Sequence, residues 1–366
     1  MSKIRHAPYA ISFAVAGAWL CACSPGAESR GYGSYVDFTT ANDTRRLCSG
    51  SMPHLEHYID RAFDFFGTET PEDLHIPLLV GDPESPCTEL FFSTSCYVAA
   101  EETIYLADLD LQGRRTHGII RHELTHAVID RMWGQSAPFF NEGLAESLSR
   151  TLVHSWSASE PLEPVGDMLG SVPAEVEYTA AAYFTRFLID TRGLAPFKKL
   201  FQAARGRSRE EIEALMAEIY GESFAALEAE YLSGPARCQY QLDVCEPGSA
   251  ESVGAGFHLT RAASCDDPDF YGSIGSDDLD IATQQTLAVA VSGTYRLRVD
   301  YDVPLLSADY PRSQVRLTRC GECDEQSVQM FHRTDEELEL EAGLYALEIV
   351  MPFDTVVSID LELLDP

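Results

Sequence analysis

Positive charge is scarce in this chain: 26 Lys and Arg stand against 58 Asp and Glu, a formal net charge of −32 over 366 residues. The shortage excludes nucleic acid as a partner, because duplexes and single strands are held by cationic faces that release counterions. Acidic membrane surfaces are disfavoured on the same ground. Long apolar runs are missing too. The run Ala10 to Leu20, broken by Ser12 and Gly17, falls short of the roughly 20 residues a spanning helix needs. There is no second Cys-x-x-Cys to complete a zinc ribbon with Cys320 and Cys323. What is present is apolar surface: 45% hydrophobic and 10% aromatic residues supply an ordinary core for about two domains and rule out disorder throughout.

Lys3 and Arg5 followed by the short apolar run read as an export signal. The run ends Leu20-Cys21-Ala22-Cys23-Ser24, which resembles the lipobox of bacterial lipoproteins. That resemblance implies cleavage after residue 22, lipidation of Cys23, and a bacterial cell-envelope lipoprotein with the outer membrane as expected destination. The membrane would be engaged by the lipid anchor only. An ordinary export signal without lipid is the alternative. Residues 23–47 are expected to be a tether.

Beyond Cys21 and Cys23, eight of the ten cysteines remain, an even number that predicts disulfides in an exported chain. Proximity in sequence favours Cys87 with Cys96, Cys238 with Cys245 and Cys320 with Cys323, leaving Cys48 for Cys265.

Two textures divide the rest. Apolar residues at Leu55, Ile59, Ala62 and Phe66 mark an amphipathic helix, and helices are predicted at about 116–133, 139–153, 175–191, 195–204, 208–219 and 222–232. Ile76 to Val80 and Thr103 to Ala107 read as strands. After Gly248 the pattern alternates. Gly293-x-Tyr295-x-Leu297-x-Val299 is echoed by Gly343-x-Tyr345-x-Leu347-x-Ile349, each a turn glycine followed by a strand with one apolar face, which suggests a small sandwich. This segment resembles the prepeptidase C-terminal domains of secreted bacterial peptidases. The expected fold class is α+β: a mostly helical domain with a small sheet over 48–236, a linker over 237–255 and an all-β sandwich over 256–366. Asp266, Asp267, Asp269, Asp277, Asp278 and Asp280 form solvated acidic loops or a calcium site; they show no EF-hand spacing.

The chemistry is concentrated in Arg121-His122-Glu123-Leu124-Thr125-His126. Four residues apart on a helix, His122 and His126 can present two imidazole nitrogens to one metal ion. Glu123 lies about 100° further round, placed to reach a water rather than the metal. A third ligand is offered by Phe139-Phe140-Asn141-Glu142-Gly143-Leu144-Ala145-Glu146: Glu142 completes a His₂Glu set, and Glu146 can accept the outer N–H of a ligating His.

His122-Glu123-x-x-His126 followed by Asn141-Glu142-Gly143 resembles the gluzincin zinc metallopeptidases, the thermolysin and aminopeptidase clan, and especially its compact bacterial peptidase-MA-like families. Tyr178 to Leu188 and Tyr220 to Leu232 resemble the helices that follow the site there. The resemblance covers about 51–233 and implies a zincin-type catalytic domain with one Zn²⁺ per chain, held by His122, His126 and Glu142. It also implies Glu123 as general base for a zinc-activated water, Glu146 behind the ligands, and a peptide or protein substrate. The linker from His126 to Glu142 is shorter than in thermolysin, and no Gly-Ala-Met-Glu-Asn motif precedes the helix, which argues against an aminopeptidase.

Tyr178 is the first candidate for a catalytic oxyanion donor, ahead of Tyr183 and His154, with core packing the alternative for each. Ile104 and Tyr105 are candidates for substrate binding if their strand is an edge to which a peptide adds; a plain structural strand is the alternative. The rival to a peptidase is a non-catalytic binding or adhesion lipoprotein whose degenerate peptidase domain keeps zinc for stability. The intact Glu123 beside all three ligands speaks against it.

Overall fold

The computed structural model of the chain describes residues 29–32, 35–40, 46–81, 85–87, 95–106, 115–149, 162–235, 239–240, 242–274, 280–302, 314–321, 328–331 and 334–365. The expected lipidation at Cys23, and His154, Cys238 and Cys323, lie outside them.

The architecture is α+β. The first sheet has the order β1-β2-β4-β6-β5, from Ser29–Tyr32, Val36–Thr40, Ile76–Val80, Thr103–Leu106 and Cys96–Val98 respectively. β2, β4 and β6 run parallel, while β1 and β5 are antiparallel to their neighbours. Two helices cover it: α1 (Ser51–Phe65) and α2 (Arg115–Trp133). Leu55, Ile59 and Phe63 of α1 and Ile120, Leu124 and Val128 of α2 share one buried core with Phe38, Leu78 and Ile104.

Two expectations are corrected here. Residues 23–47 are not wholly a tether, because Val36–Thr40 is a strand whose Val36 and Phe38 join the core. Nor is Thr103–Leu106 an edge. It pairs with β4 on one side and β5 on the other, with Ile104 fully buried, so neither Ile104 nor Tyr105 is open to strand addition. Cys96–Val98 takes the edge instead, fastened by the expected Cys87–Cys96 disulfide.

A second core is helical. α3 (Pro138–Leu148) starts with Pro at its first turn, where a missing N–H costs nothing. α4 (Tyr178–Arg192) is capped by Glu177, whose carboxylate accepts from the N–H groups of Thr179 and Ala180. α5 (Leu194–Ala203) is followed by α6 (Arg209–Tyr220), which begins with a Ser208/Glu211 capping box, and by α7 (Phe224–Ser233). Phe139, Phe140, Phe184, Phe197 and Phe201 fill the space between them.

The remainder is a sandwich. β7 (Glu251–Ser252), β10 (Asp280–Val289), β12 (Gln314–Arg319), β13 (Val328–Phe331) and β15 (Gly343–Pro352) form one sheet; β8 (Gly256–Ala262), β11 (Gly293–Asp302), β14 (Thr334–Leu340) and β16 (Val356–Asp365) form the other. The two Gly-x-Tyr strands are β11 and β15, one in each sheet. Their Tyr, Leu and Val/Ile side chains all point into the shared core. Both tyrosines also donate to a carbonyl four residues upstream, Tyr295 to Val291 at 2.7 Å and Tyr345 to Glu341 at 3.0 Å, pinning each turn to its strand.

The sandwich is locked onto the start of α1. β3 (Arg46–Leu47) pairs with β9 (Ser273–Ile274), Ser49 N–H donates to Cys265, and Gly50 N–H to Phe270. Gly50 passes so close to the carbonyls of Pro268 and Phe270 that no side chain fits there. The expected Cys48–Cys265 disulfide closes this seam. The expected local pairs Cys238/Cys245 and Cys320/Cys323 are not made: Cys245 bonds Cys320 instead. Closeness in sequence misleads because the 239–249 segment is carried against the end of β12, where Cys320 stands. Disulfides of this kind fit an exported protein. Of the acidic loop residues, Asp266 pairs with Arg46 at 3.0 Å and Asp269 with Arg261 at 3.7 Å, while Asp277 and Asp278 lie outside the described residues.

Candidate metal centre

α2 presents His122 and His126 on one face, one turn apart, and α3 brings Glu142 against them. The three donor atoms form a nearly equilateral triangle. His122 Nε2 lies 3.2 Å from His126 Nε2 and 3.2 Å from Glu142 Oε2, and His126 Nε2 lies 3.4 Å from the same oxygen. A metal bonded to N and O ligands at about 2.0–2.1 Å with tetrahedral angles has ligand–ligand edges of about 3.3–3.4 Å. The triangle therefore has the size of one face of such a tetrahedron. Among the described residues, this is the one group of three or more His, Cys, Asp or Glu close enough together to share an ion.

The tautomer follows from what stands behind His122. Its Nδ1 faces Glu146 Oε2 at 3.3 Å, and the other Glu146 oxygen accepts from Gln239 Nε2 at 2.9 Å. With Nδ1–H directed at a carboxylate, Nε2 offers its lone pair to the triangle. Lone pairs and a carboxylate oxygen converging in a mostly buried spot need a cation between them. The same need shows in the pull on a proton: burial opposes charge on His122, yet Glu142 and Glu146 still push its pKa well above the ordinary value. Burial likewise opposes ionisation of Glu142, but His126 and His122 hold its carboxyl far below the usual range. The residues fit a divalent ion, and the N₂O donor set suits zinc.

Glu123 sits beside the triangle without joining it, 7% exposed. Burial raises its pKa; His122 and His126, and a backbone hydrogen bond from Tyr97 of β5, pull the other way. Tyr178, at the start of α4, lies parallel to the His122 ring, 5.6 Å between centroids and 2° between planes. It is 41% exposed and reaches the cleft. Burial of its hydroxyl end and the carboxylates of Glu142 and Glu123 push its phenol pKa up. Tyr183, on the same helix, is buried in the core.

α2 and α3 are held in register by contacts that sequence alone did not disclose. Asn141, next to Glu142, accepts from the Ser136 N–H at 3.0 Å and donates to Gln135, which in turn donates to Asp130 of α2. From below, Arg121 reaches Asp243 and His54, and Tyr58 bonds Thr125. Gln239 and Asp243 come from a segment expected to be linker, with no motif to mark them.

These groups open on a cleft of about 850 Å³. Its walls include Ser95 to Tyr97 of the β5 edge, Pro173 to Val176, and the Gln135–Ser136 turn. The fold brings together His122, His126, Glu142, Glu123, Glu146 and Tyr178, all named from the sequence; the β5 edge, a three-residue strand too short to show alternation, was not.

No protein-family model matches the chain, and no curated protein matches it. Among solved structures, the chain has a weak likeness to the pre-peptidase C-terminal domain of a Bacillus anthracis collagenase: 11% identity over 32% of this chain and 96% of that domain, with a TM-score of 0.21. A carbohydrate-binding module of a Cellvibrio mixtus lichenase matches at 9% identity over 31% of this chain and 89% of the module, TM-score 0.17. A Podospora anserina mannanase matches at 20% identity over 31% of this chain, which spans 25% of that enzyme, TM-score 0.17. At these scores the likenesses carry no argument about function.

Proposed function

We propose that this chain is a zinc-dependent peptidase that hydrolyses peptide bonds in the cleft above His122, His126 and Glu142, exported and held to a bacterial envelope membrane by lipid on Cys23. The observation that carries the reading is the tetrahedral-sized triangle of these three donors with Glu123 beside it, all opening on a cleft of about 850 Å³. Bound there, zinc would supply a Lewis acid that polarises a carbonyl and acidifies water. Glu146, steadied by Gln239, fixes the orientation of His122.

The chain's own groups account for the proton movements. Glu123 is made more basic than an ordinary carboxylate by burial, so it can accept a proton from the attacking water and return it to the leaving amine. Tyr178 keeps its proton at neutral pH, since its pKa is raised, and can donate to the scissile carbonyl oxygen as charge develops there. The outer edge of β5, which pairs with no further strand among the described residues, offers backbone groups to an extended substrate. A merely zinc-stabilised binding domain would have no need to bury a carboxylate at a cost beside its metal ligands.

Glu123→Gln tests this. The variant should bind one zinc as the parent does and lose cleavage of a quenched-fluorescent peptide library by at least about a hundredfold. Undiminished cleavage would rule out Glu123 as the base.

A further inference from the structure

Arg205 stands apart from the other arginines. It lines the same cleft as the metal triangle, and no hydrogen bond, ion pair or ring contact falls to it among the described residues. Its neighbours in sequence are engaged: Arg207 pairs with Glu211 at 2.9 Å, and Arg209 with Glu213 at 2.8 Å and Asp167 at 2.5 Å. In a chain of net charge −32, an arginine with no carboxylate partner is unexpected, because acids outnumber bases more than two to one. The cleft it enters also carries Glu123, Glu142 and Glu146, all turned to the metal end.

Its position is built. Ala204, fully buried, anchors the turn after α5, and Arg207 N–H closes it on the Ala204 carbonyl at 3.1 Å. The end of α5 is tied to the turn between α2 and α3: Ser136 Oγ donates to Phe201 O at 2.6 Å, and Gln202 Nε2 to Trp133 O at 3.3 Å. That turn is the one Asn141 braces next to Glu142. Arg205 is exposed in the turn that follows this tied end of α5, at the rim of the cleft, with no partner for its guanidinium among the described residues.

We infer that Arg205 is a substrate-positioning residue that holds a carboxylate of the peptide, so that the preferred substrates carry a negative charge at the Arg205 end of the cleft. A guanidinium offers two parallel N–H donors that match a carboxylate. On this acidic protein it also adds a local positive charge that favours the approach of an anionic peptide. The carboxylate is either the peptide's own C-terminus or an Asp or Glu side chain. The inference rests on the peptidase reading only for the identity of the cleft's occupant.

The test measures binding apart from turnover. The full soluble chain from residue 24, zinc-loaded and carrying Glu123→Gln, is titrated with dansyl-labelled alanine-based pentapeptides with a central Phe or Leu. Each is made in three forms: free C-terminal acid, C-terminal amide, and amide with Glu in the last two positions. One or both acidic forms should bind about three- to tenfold more tightly than the neutral amide. The form preferred tells C-terminal from side-chain recognition. Arg205→Ala should erase the preference with zinc content and amide binding unchanged, and Arg205→Glu should reverse it. A preference that survives Arg205→Ala would place the carboxylate on the metal and overturn the inference, as would equal binding of all forms to the parent. Cleavage by the protein with Glu123 restored is read separately. Carboxylate-selective binding without cleavage sinks the peptidase reading and leaves Arg205 in place; cleavage indifferent to charge does the reverse.

Discussion

Glu123 stands in a place that disfavours its charge, because burial raises the pKa of its carboxyl. Its folded pKa lies above the unfolded value, so its contribution to stability is present only below the unfolded pKa and is lost as pH rises through the folded one. At pH 7 the carboxylate therefore costs stability, and Glu123→Gln should raise the Tm of metal-free protein by roughly 2–4 °C, a gap that narrows as pH falls. Differential scanning calorimetry across pH 5 to 8 checks the sign; a lower Tm for the variant at pH 7 would contradict it. Glu146 acts through His122, so Glu146→Gln should weaken zinc binding by about 10- to 100-fold without abolishing it, as read by competition with a chelating dye. At this scale the sequence was most legible. His122, His126, Glu142 and Glu146 declare themselves because helical spacing puts each pair on one face. Gln239, Asn141 and Arg205 do not, since their value depends on which turns meet in space.

The three proposed ligands come from two helices, so the proposed site is only as good as the packing that fixes α3. Gly143, immediately after Glu142, lies where α3 packs directly on α4. A methyl group there would lie 2.5 Å from Thr185 Oγ1 and 2.6 Å from the Ala181 carbonyl oxygen. Gly143→Ala should cost about 1–3 kcal/mol and weaken zinc binding, because α3 must shift and Glu142 with it. Adding Thr185→Ala should not rescue it, since the Ala181 carbonyl stays. Chemical denaturation and the same dye competition measure both effects; a neutral outcome would mean the helices yield without moving the ligand. The elements were mostly visible in periodicity: the helices appear within a few residues of their predicted ends, apart from the overlong second one. The sheet was not. β2 falls in the 23–47 stretch expected to be a tether, and β5 is so short that the edge strand was misassigned to β6, which is buried between neighbours.

Across the whole molecule, the sandwich and the metal domain share a continuous seam. The Cys48–Cys265 bridge, 217 residues apart in sequence, closes it beside the Gly50 contact, and a polar chain runs from Gln284 of β10 through Asp243 to Arg121, the residue before His122. The sandwich therefore supports the metal helix rather than hanging from it. Replacing Cys48 and Cys265 with Ser should lower the unfolding free energy by about 2–5 kcal/mol and make the 264–272 seam the first site of limited proteolysis. Unchanged unfolding would mean the seam holds without the bridge. Pairing at this range could be reached from sequence only by elimination. The same logic failed for Cys245 and Cys320, because local spacing says nothing about which strand end a linker is carried to.

The central claim is that three side chains from two helices hold one catalytic zinc. Its most direct test is metal analysis of the soluble chain from residue 24, paired with cleavage of a quenched-fluorescent peptide library before chelation, after chelation and after zinc is returned. The account predicts one zinc per chain, cleavage abolished by the chelator and restored by zinc, and no zinc retained in a His122→Ala/His126→Ala variant. A folded chain that binds no zinc, or whose cleavage ignores the chelator, would contradict it.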